Sequence, residues 1–287
     1  MGKKIRITGY HLLDSGMGNK LERVGPYLLV RPSPQAVWSP YLSEERWREA
    51  DAVYIRSSTG GGKWEFKRRL PEKWEIEYGG CKFAVKPTGF GHLGLFPEQI
   101  ESWEWISQKV KAAKRDITVL NLFAYTGGST LAAASAGASV CHLDASKGVV
   151  DWGRENAALS DLSGQSIRWI VDDAKKFVSK EIRREKKYDA IILDPPSFGR
   201  GAKGEVWKIE DDLTKLIYIC RELLTDDPLF LLLSSHSPGF TPLVLQNILS
   251  EMITNRKGKL SCAEMTITEA ESGRPLPCGS YARWSSK

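Results

Sequence analysis

The stretch at residues 119–137, VLNLFAYTGGSTLAAASAG, decides the fold of this chain. An apolar run at 119–123 leads into a turn that contains Gly127 and Gly128, and a segment rich in Ala, Ser and Leu follows. This pattern predicts a buried β-strand that passes through a tight turn into a helix. Because the first N–H groups of a helix lack partners and lie at the positive end of its dipole, the turn is a candidate cradle for a polar or anionic small molecule. Tight packing alone would also explain the two glycines.

The chain downstream of this stretch alternates apolar runs with helical segments. The predicted strands are 117–123, 138–144, 166–171, 188–194 and 229–235, followed by late strands at 260–268 and 280–284. Helices are predicted from Ser129, Ser146, Asp173, Val206 and shortly after Thr241. Continuous apolar strands separated by helices are typical of a parallel sheet that is covered on both faces. The fold class is therefore α/β, and the carboxyl ends of the strands should form one edge at which ligands bind.

The short β-type runs within residues 1–86 predict a small β-rich domain, which precedes the α/β domain at 87–287. Strands are expected at 27–31 and 52–57, with a hairpin around Gly79 and Gly80. Basic and aromatic residues alternate near its end: Lys63, Trp64, Phe66, Lys67, Arg68, Arg69, Lys73 and Trp74. They are either a surface for nucleic acid or a solvated hairpin whose tryptophans pack on the next domain.

A second unusual segment, TGFGHLGLFPEQ at 88–99, is rich in glycine and aromatic residues. It precedes a helix predicted at 97–114, for which Pro97 suits the first position. Such a segment either lines a pocket that holds a ligand or links two domains with one packed phenylalanine.

The amino-acid composition limits the class of protein to which this chain can belong. The 287 residues carry a formal net charge of +6, which is compatible both with a mildly basic protein and with a polyanionic partner such as RNA. The five cysteines are scattered without a CxxC pair, which argues against a disulfide framework and against a metal site. No apolar run approaches the length of a membrane span, and the start MGKKIRITGY lacks a signal-peptide core. We expect a cytoplasmic protein that does not bind membranes, and a homodimer is left open.

Acidic residues follow the second and third predicted strands. Asp144 can accept hydrogen bonds from both hydroxyls of a ribose, although an Asp at this place also caps helices, a role that Ser146 shares. Of Asp172 and Asp173, one can accept from an exocyclic adenine amine while the other caps the next helix. Asp173, which stands beside Ala174, is the preferred ligand-binding residue.

Two further motifs follow the fourth and fifth strands. The sequence Asp194-Pro195-Pro196-Ser197-Phe198-Gly199 predicts a loop whose carboxylate faces a substrate, or else a rigid turn that ends the strand. His236, in Ser-Ser-His-Ser at 234–237, is a candidate general base or a structural hydrogen-bonding group.

In this order and spacing, VLNLFAYTGG, HLDAS, VDDA and DPPSFGRG resemble the class I S-adenosylmethionine-dependent methyltransferases. The resemblance is closest to bacterial proteins related to the 23S rRNA 5-methylcytosine methyltransferases, and it extends to LDSGMGNKLERVGPYLLVRPSPQAVW and HLGLFPEQ. It implies a Rossmann-like seven-stranded sheet with S-adenosylmethionine across its carboxyl edge. The implied cofactor-binding residues are Phe123, Ala124, Tyr125, Thr126, Gly127, Gly128, Asp144, Ala145, Ser146, Asp172, Asp173, Ala174 and Asp194. The implied catalytic residues are Asp194, Pro195, Phe198 and His236, without a metal.

One departure from the resembled family bears on the substrate. Enzymes that methylate carbon 5 of a pyrimidine attack the ring with a cysteine, but 234–237 and the Asp-Pro-Pro loop contain none. We therefore expect methylation of RNA, with rRNA as the expected substrate, at a ring nitrogen, an exocyclic amine or an oxygen. Two alternatives are an NAD-dependent oxidoreductase and a non-catalytic RNA-binding protein that keeps the cofactor pocket.

Overall fold

The computed structural model describes residues 9–57, 61–200, 204–254 and 256–286. Most of the MGKKIRITGY start and Gly201 of DPPSFGRG lie outside the described residues. The chain divides into two compact units. Unit 1 comprises Met1–Glu98 with Thr266–Pro277, and unit 2 comprises Gln99–Met265 with Cys278–Lys287.

Unit 1 is built mainly from β-strands. They are β1 (Tyr10–Gly16), β2 (Asn19–Val24), β3 (Tyr27–Pro32), β4 (Ala52–Arg56), β5 (Gly62–Phe66), β6 (Trp74–Tyr78) and β7 (Cys81–Val85), with a short helix α1 (Glu44–Arg48) before β4. A five-stranded sheet has the order β1-β2-β3-β4-β5, and only the β3–β4 pair in it is parallel. The strands predicted at 27–31 and 52–57 and the hairpin at Gly79 and Gly80 are confirmed. Strands β1, β2 and β5 were not predicted.

The basic and aromatic run of unit 1 is engaged within that unit. The Lys63 Nζ atom lies 2.8 Å from Glu65 Oε1, and the Arg68 Nε atom lies 2.9 Å from Asp51 Oδ1. The indole N–H of Trp64 donates to the Thr88 carbonyl oxygen at 2.8 Å. These partners reduce the number of cations in the run that are available to a polyanion.

A 3₁₀ turn, Pro97–Gln99, spans the boundary between the two units, and helix α2 of unit 2 follows it directly. The helices of unit 2 are α2 (Ile100–Ala112), α3 (Gly128–Ser135), α4 (Lys147–Leu159), α5 (Ala174–Arg183), α6 (Ile209–Cys220) and α7 (Pro242–Met252). Its strands are β8 (Thr118–Leu122), β9 (Ser139–Asp144), β10 (Ile167–Val171), β11 (Ala190–Leu193), β12 (Phe198–Arg200), β13 (Val206–Lys208) and β14 (Phe230–Ser235). It also contains most of β15 (Lys259–Thr268) and β16 (Pro275–Ser285), whose residues within Thr266–Pro277 belong to unit 1.

The central sheet has seven strands in the order β10-β9-β8-β11-β14-β16-β15. Strands β8, β9, β10, β11 and β14 are parallel to one another, whereas β16 is antiparallel to β14. Apolar residues alternate between two core clusters, as Leu120 and Ile191 on one face and Val119 and Ile192 on the other illustrate. Because helices cover both faces, the strands read as continuous apolar runs. The predicted α/β fold with a seven-stranded sheet is confirmed, and the carboxyl ends of five strands share one edge.

The prediction of a helix from Val206 is wrong. Residues Val206–Lys208 form β13, which pairs with β12, and α6 begins at Ile209. The cause is local: Val206 and Trp207 favour strand geometry, whereas the acidic residues that suit a first helical turn begin at Glu210.

Across the described ranges, no helix combines the length and apolarity needed to cross a membrane. Those same ranges contain no cluster of three or more His, Cys, Asp or Glu side chains arranged to hold a metal ion.

Candidate active site

The turn between β8 and α3 has an unusual backbone. Phe123 and Tyr125 have φ angles of 58° and 49°, and Gly127 has a φ of 96°. Left-handed conformations are uncommon for residues other than glycine and cluster at ligand-binding sites. Gly127 stands at the N-cap of α3 and no described side chain caps this helix, so its first N–H groups face the carboxyl edge of the sheet.

The two glycines of this turn have different roles. Gly127 supplies a backbone conformation, because a Cβ there would meet no atom closer than 3.7 Å but would be strained by the positive φ. Gly128 supplies space, because its Cβ would lie 2.2 Å from Cζ2 of Trp103 on α2. The absence of a side chain at Gly128 is therefore explained by helix packing rather than by ligand contact.

We expect Gly128→Ala to disturb this end of α3. Overpacking of this kind costs about 1–3 kcal/mol, so the melting temperature should fall and the affinity for the cofactor should fall with it. Gly148→Ala is the matched control, because a Cβ at Gly148 on α4 meets nothing within 4 Å. Thermal unfolding and calorimetric titration measure both variants. Equal melting temperatures for Gly128→Ala and the wild type would contradict the packing role.

Asp144 at the end of β9 holds the turn in place. Its Oδ2 accepts from the Tyr125 N–H at 3.0 Å, and its Oδ1 accepts from the Ser146 N–H at 3.0 Å. Burial raises the pKa of this carboxyl, while the backbone N–H groups of Ser146, Tyr125 and Ala145 act in the opposite direction. Each carboxylate oxygen has a second lone pair, so the carboxylate retains acceptor capacity for a ligand. Ser146 stands at the N-cap of α4, but its side chain forms no capping bond.

The acidic pair after β10 is divided between two structural roles. The Asp172 Oδ2 atom accepts from Lys180 Nζ at 2.6 Å, and its Oδ1 accepts from the Asp173 N–H at 3.0 Å. Asp173 caps α5, which begins at Ala174, by accepting from the Lys176 N–H at 2.9 Å. Capping uses one oxygen of Asp173, so the geometry is compatible with a ligand at the other.

Asp194 lies at the centre of a polar network at the same edge. Its Oδ2 accepts from Gln99 Nε2 at 3.0 Å, and Gln99 Nε2 also donates to Ser234 Oγ at 3.2 Å. His236 Nδ1 lies 3.6 Å from Asp194 Oδ1. Among the described residues, the buried atoms Asp194 Oδ1 and Gln99 Oε1 have no hydrogen-bond partner. Two buried acceptors without partners are the signature of a site that receives a donor from a ligand.

The loop after Asp194 is anchored by one backbone contact and one side-chain contact. The Pro196 carbonyl oxygen accepts from the indole N–H of Trp207 at 2.7 Å, and the Oγ atoms of Ser197 and Ser237 lie 2.7 Å apart. Pro195 is buried. Phe198 begins β12 and remains 52% exposed, which is unusual for a phenylalanine.

Comparisons with known proteins give this geometry a context. A family model for S-adenosylmethionine-dependent methyltransferases matches residues 52–251. The crystal structure of an S-adenosylmethionine-dependent methyltransferase from Agrobacterium tumefaciens is 42% identical, with a TM-score of 0.92 over 97% of this chain and 90% of that chain.

The chain belongs to the S-adenosylmethionine-dependent methyltransferase family.

Curated relatives within the family are longer than this chain. A ribosomal RNA large subunit methyltransferase K/L from Alteromonas mediterranea is 33% identical over 224 residues, which are 73% of this chain and 31% of the relative. The protein of the same name from Shewanella frigidimarina is 34% identical over 238 residues, which are 75% of this chain and 32% of the relative. The chain thus spans about a third of the length of the curated relatives that it matches.

Family membership identifies S-adenosylmethionine as the cofactor and decides against an NAD-dependent oxidoreductase. The residues at the carboxyl edge fit this cofactor. The uncapped N-terminus of α3 suits a carboxylate, while Asp144 and Asp173 suit hydroxyl and amine donors. The unpartnered oxygen of Asp194 remains able to accept from a further donor at the same edge.

Two residues at this edge escaped prediction from the sequence. Gln99 lies within the segment 88–99 that composition marked as unusual, but nothing in the sequence indicates its contact with Asp194. Trp103 was predicted only as part of an apolar helix face, and its close packing against Gly128 is a tertiary contact.

Proposed function

We propose that this methyltransferase acts on ribosomal RNA of the large subunit, at an atom whose methylation needs no cysteine nucleophile. The family supplies the reaction class, and the curated relatives supply the substrate class by their names. The observation that carries the acceptor chemistry is the network of Gln99, Asp194, Ser234 and His236, which offers acceptors and no thiol. A ring nitrogen, an exocyclic amine or an oxygen is therefore the methylated atom.

Each residue of the edge has a role in this proposal. The backbone of 123–128 binds the methionine portion of the cofactor, Asp144 with Ala145 and Ser146 holds the ribose, and Asp173 with Asp172 and Ala174 receives the adenine amine. When bound, the cofactor supplies an electrophilic methyl group on a sulfonium. The chain contributes positioning of the acceptor in line with that methyl group and exclusion of water.

The acceptor side is proposed to work through the loop at 194–198. Asp194, held at one oxygen by Gln99, accepts a hydrogen bond from the acceptor nucleotide through its other oxygen. Pro195 keeps this loop from continuing the strand, and the exposed ring of Phe198 stacks on the target base. His236, 3.6 Å from Asp194, takes up the proton where the acceptor loses one.

The cysteines provide a test of the acceptor chemistry. Burial raises the pKa of the Cys141 thiol to about 11 and raises that of Cys220 further, so both remain protonated and poorly nucleophilic at neutral pH. Cys278 lies on β16 two residues before Ser280, which pairs with Ser235 at the end of β14. Its strand position places it beside the end of the fifth parallel strand, where the sequence itself shows no cysteine.

We expect Cys278→Ser to retain a methyl-transfer rate within about twofold of wild type, because no covalent adduct is required. Cys262→Ser is the matched control, since the Cys262 thiol bonds Gln246 Oε1 at 3.0 Å on α7. Transfer of labelled methyl to rRNA measures both variants. Loss of transfer in Cys278→Ser alone, with a thiol-dependent RNA adduct in the wild type, would show a carbon-5 mechanism instead.

The function itself is tested with rRNA from a strain that lacks this gene. Incubation with labelled S-adenosylmethionine should transfer label to large-subunit rRNA and produce S-adenosylhomocysteine, and mapping of the labelled nucleotide identifies the acceptor atom. Cofactor binding without turnover on any cellular RNA would instead support a non-catalytic RNA-binding protein.

A further inference from the structure

Unit 1 contains a cavity that is lined by its own residues. Its volume is about 490 Å³, which falls within the range of about 300–1,000 Å³ typical of small-molecule sites. Its wall combines aromatic and cationic side chains, among them Lys20, Arg31, Tyr54, Arg56, Phe90 and Phe96. Aromatic faces and cations together are the side chains that recognise a nucleotide, through its base and its phosphate.

The aromatic part of the wall is held in place by hydrogen bonds within the turn at 88–92. The Thr88 N–H and Oγ1 both bond the His92 carbonyl oxygen, at 3.1 and 2.9 Å, and the Gly91 N–H bonds the Thr88 carbonyl oxygen at 3.0 Å. Gly91 has a φ of 77°, and a Cβ there would lie 2.6 Å from the ring of Tyr54. Tyr54 in turn bonds the Gly89 carbonyl oxygen at 2.8 Å.

This hydrogen-bonded turn presents one large apolar side chain at its tip. Phe90 is 74% exposed although the backbone on both sides of it is fixed. An exposed phenylalanine on an ordered turn at the mouth of a cavity gains its hydrophobic contact only when a planar ligand stacks on it.

Some of the charged side chains that line the cavity are paired within unit 1, whereas one cation is not. Arg31 bonds Glu22 through Nε at 2.6 Å and through Nη2 at 2.8 Å, and it bonds the Gly91 carbonyl oxygen through Nη1 at 3.0 Å. Lys20 Nζ lies 3.0 Å from Glu22 Oε1, and the carboxylate of Glu98 also lines the cavity. Arg56 is exposed and forms no ion pair within the described ranges, so it is the cation available to a phosphate.

A guanidinium carries five N–H donors, and the three bonds of Arg31 leave two for a ligand. Arg31 therefore offers N–H donors to the carbonyl oxygens of a nucleotide base. Arg56 offers a cation to the phosphate of that nucleotide, and the ring of Phe90 can stack on the face of the base. The basic run at 63–73 is a weaker candidate, because Lys63 and Arg68 are already paired with Glu65 and Asp51.

We infer that this cavity binds one nucleotide of the single-stranded part of an RNA substrate, with its base stacked on Phe90 and its phosphate paired with Arg56. This inference rests on the proposed action on RNA, but it concerns recognition by unit 1 and not the transfer of the methyl group.

The test measures binding of a fluorescein-labelled, mixed-sequence 12-nucleotide RNA to the full chain by fluorescence anisotropy. Phe90→Ala should weaken binding by about tenfold, in the range found when one base–aromatic stack is removed, without changing the salt dependence. Arg56→Ala should also weaken binding and should lower the slope of log K against log salt concentration by about 0.7, the value for one phosphate contact on a single strand. S-adenosylmethionine affinity should be unchanged in both.

Matched controls come from the same unit. Tyr41→Ala removes an aromatic side chain that is 62% exposed, and Lys82→Ala removes an exposed cation on β7, both outside the cavity. Both controls should bind the RNA as the wild type does. The cavity assignment is overturned if Phe90→Ala and Arg56→Ala both bind the RNA as tightly as the two controls do.

The outcomes separate this inference from the proposed function. Cavity-dependent RNA binding by a wild type that transfers no methyl group to rRNA would support the cavity and refute the function. Normal methyl transfer to rRNA by both cavity variants, with unchanged RNA affinity, would support the function and refute the cavity.

Discussion

Asp194→Ala should lower methyl transfer to rRNA by about 10²–10³-fold, the usual effect of removing one preorganised polar group that contacts the reacting centre. The carboxylate is fixed by Gln99 at one oxygen, while the other is buried without a hydrogen-bond partner among the described residues. The variant removes the acceptor that is proposed to orient the nucleotide. Single-turnover transfer of labelled methyl, with cofactor affinity measured separately by calorimetry, distinguishes this loss from loss of the cofactor.

Asp116→Ala is the matched control for Asp194→Ala. Asp116 is an exposed carboxylate just before β8, at the opposite edge of the same sheet. This control should transfer methyl groups at the wild-type rate. Full methyl transfer by Asp194→Ala, at unchanged cofactor affinity, would refute the central role proposed for that carboxylate.

Glu22→Gln should reduce the free energy of unfolding of unit 1 by about 3–5 kcal/mol, the cost of leaving a buried charge without its partner. Glu22 is fully buried and bonds Arg31 through both carboxylate oxygens, and it also accepts from Tyr10 Oη at 2.6 Å. Hydrogen exchange of the amides in β1, β2 and β3 measures the effect within unit 1. The double variant Glu22→Leu/Arg31→Met should recover most of the loss, because it removes both buried charges.

The same pair predicts a pH dependence of stability. Burial alone would raise the pKa of Glu22, but the charges of Arg31 and Lys20 and the hydrogen bonds from Arg31 and Tyr10 outweigh it and lower the pKa to about 2. A carboxyl whose pKa is lower in the folded state stabilises the fold above its ordinary pKa of about 4.3, and this contribution is lost as the pH falls toward 2. The stability difference between wild type and Glu22→Gln should therefore shrink over that interval. A difference that stays constant from neutral pH to pH 2 would contradict the ion-pair account.

The local sequence pattern was sufficient to predict the strands of unit 2 that carry the site. Apolar runs that match β8, β9, β10, β11 and β14 were recognisable because a strand buried on both faces must be apolar along its whole length. Right-handed crossovers then place the carboxyl ends of these strands at one edge, so the positions of Asp144, Asp173 and Asp194 along it followed from the order of the elements. The hydrogen-bond partners of these three carboxylates could not be derived from that order.

Unit 1 was harder to predict because its strands carry buried charges. Asp14 and Glu22 stand within β1 and β2, and each is 0% exposed. A charged residue in an apolar run normally indicates a solvent-facing position, and it is compatible with burial only where partners such as Arg31 and the N–H groups of Tyr41 and Leu42 are brought to it by the fold. Residues nine or more positions apart in sequence give no local sign of such pairing.

The sequence by itself determined the α/β fold, the glycine turn and the cofactor family, because backbone conformation and burial of apolar strands are set by neighbouring residues. Only the tertiary structure decided that Gly128 is a glycine because Trp103 packs against it, that Gln99 holds Asp194, and that the exposed Phe90 and the paired Arg31 line one cavity. The physical reason is the same in each case. A steric contact, a shared hydrogen bond or a buried ion pair joins residues that are distant in the chain, and its energy exists only once folding has placed both partners together.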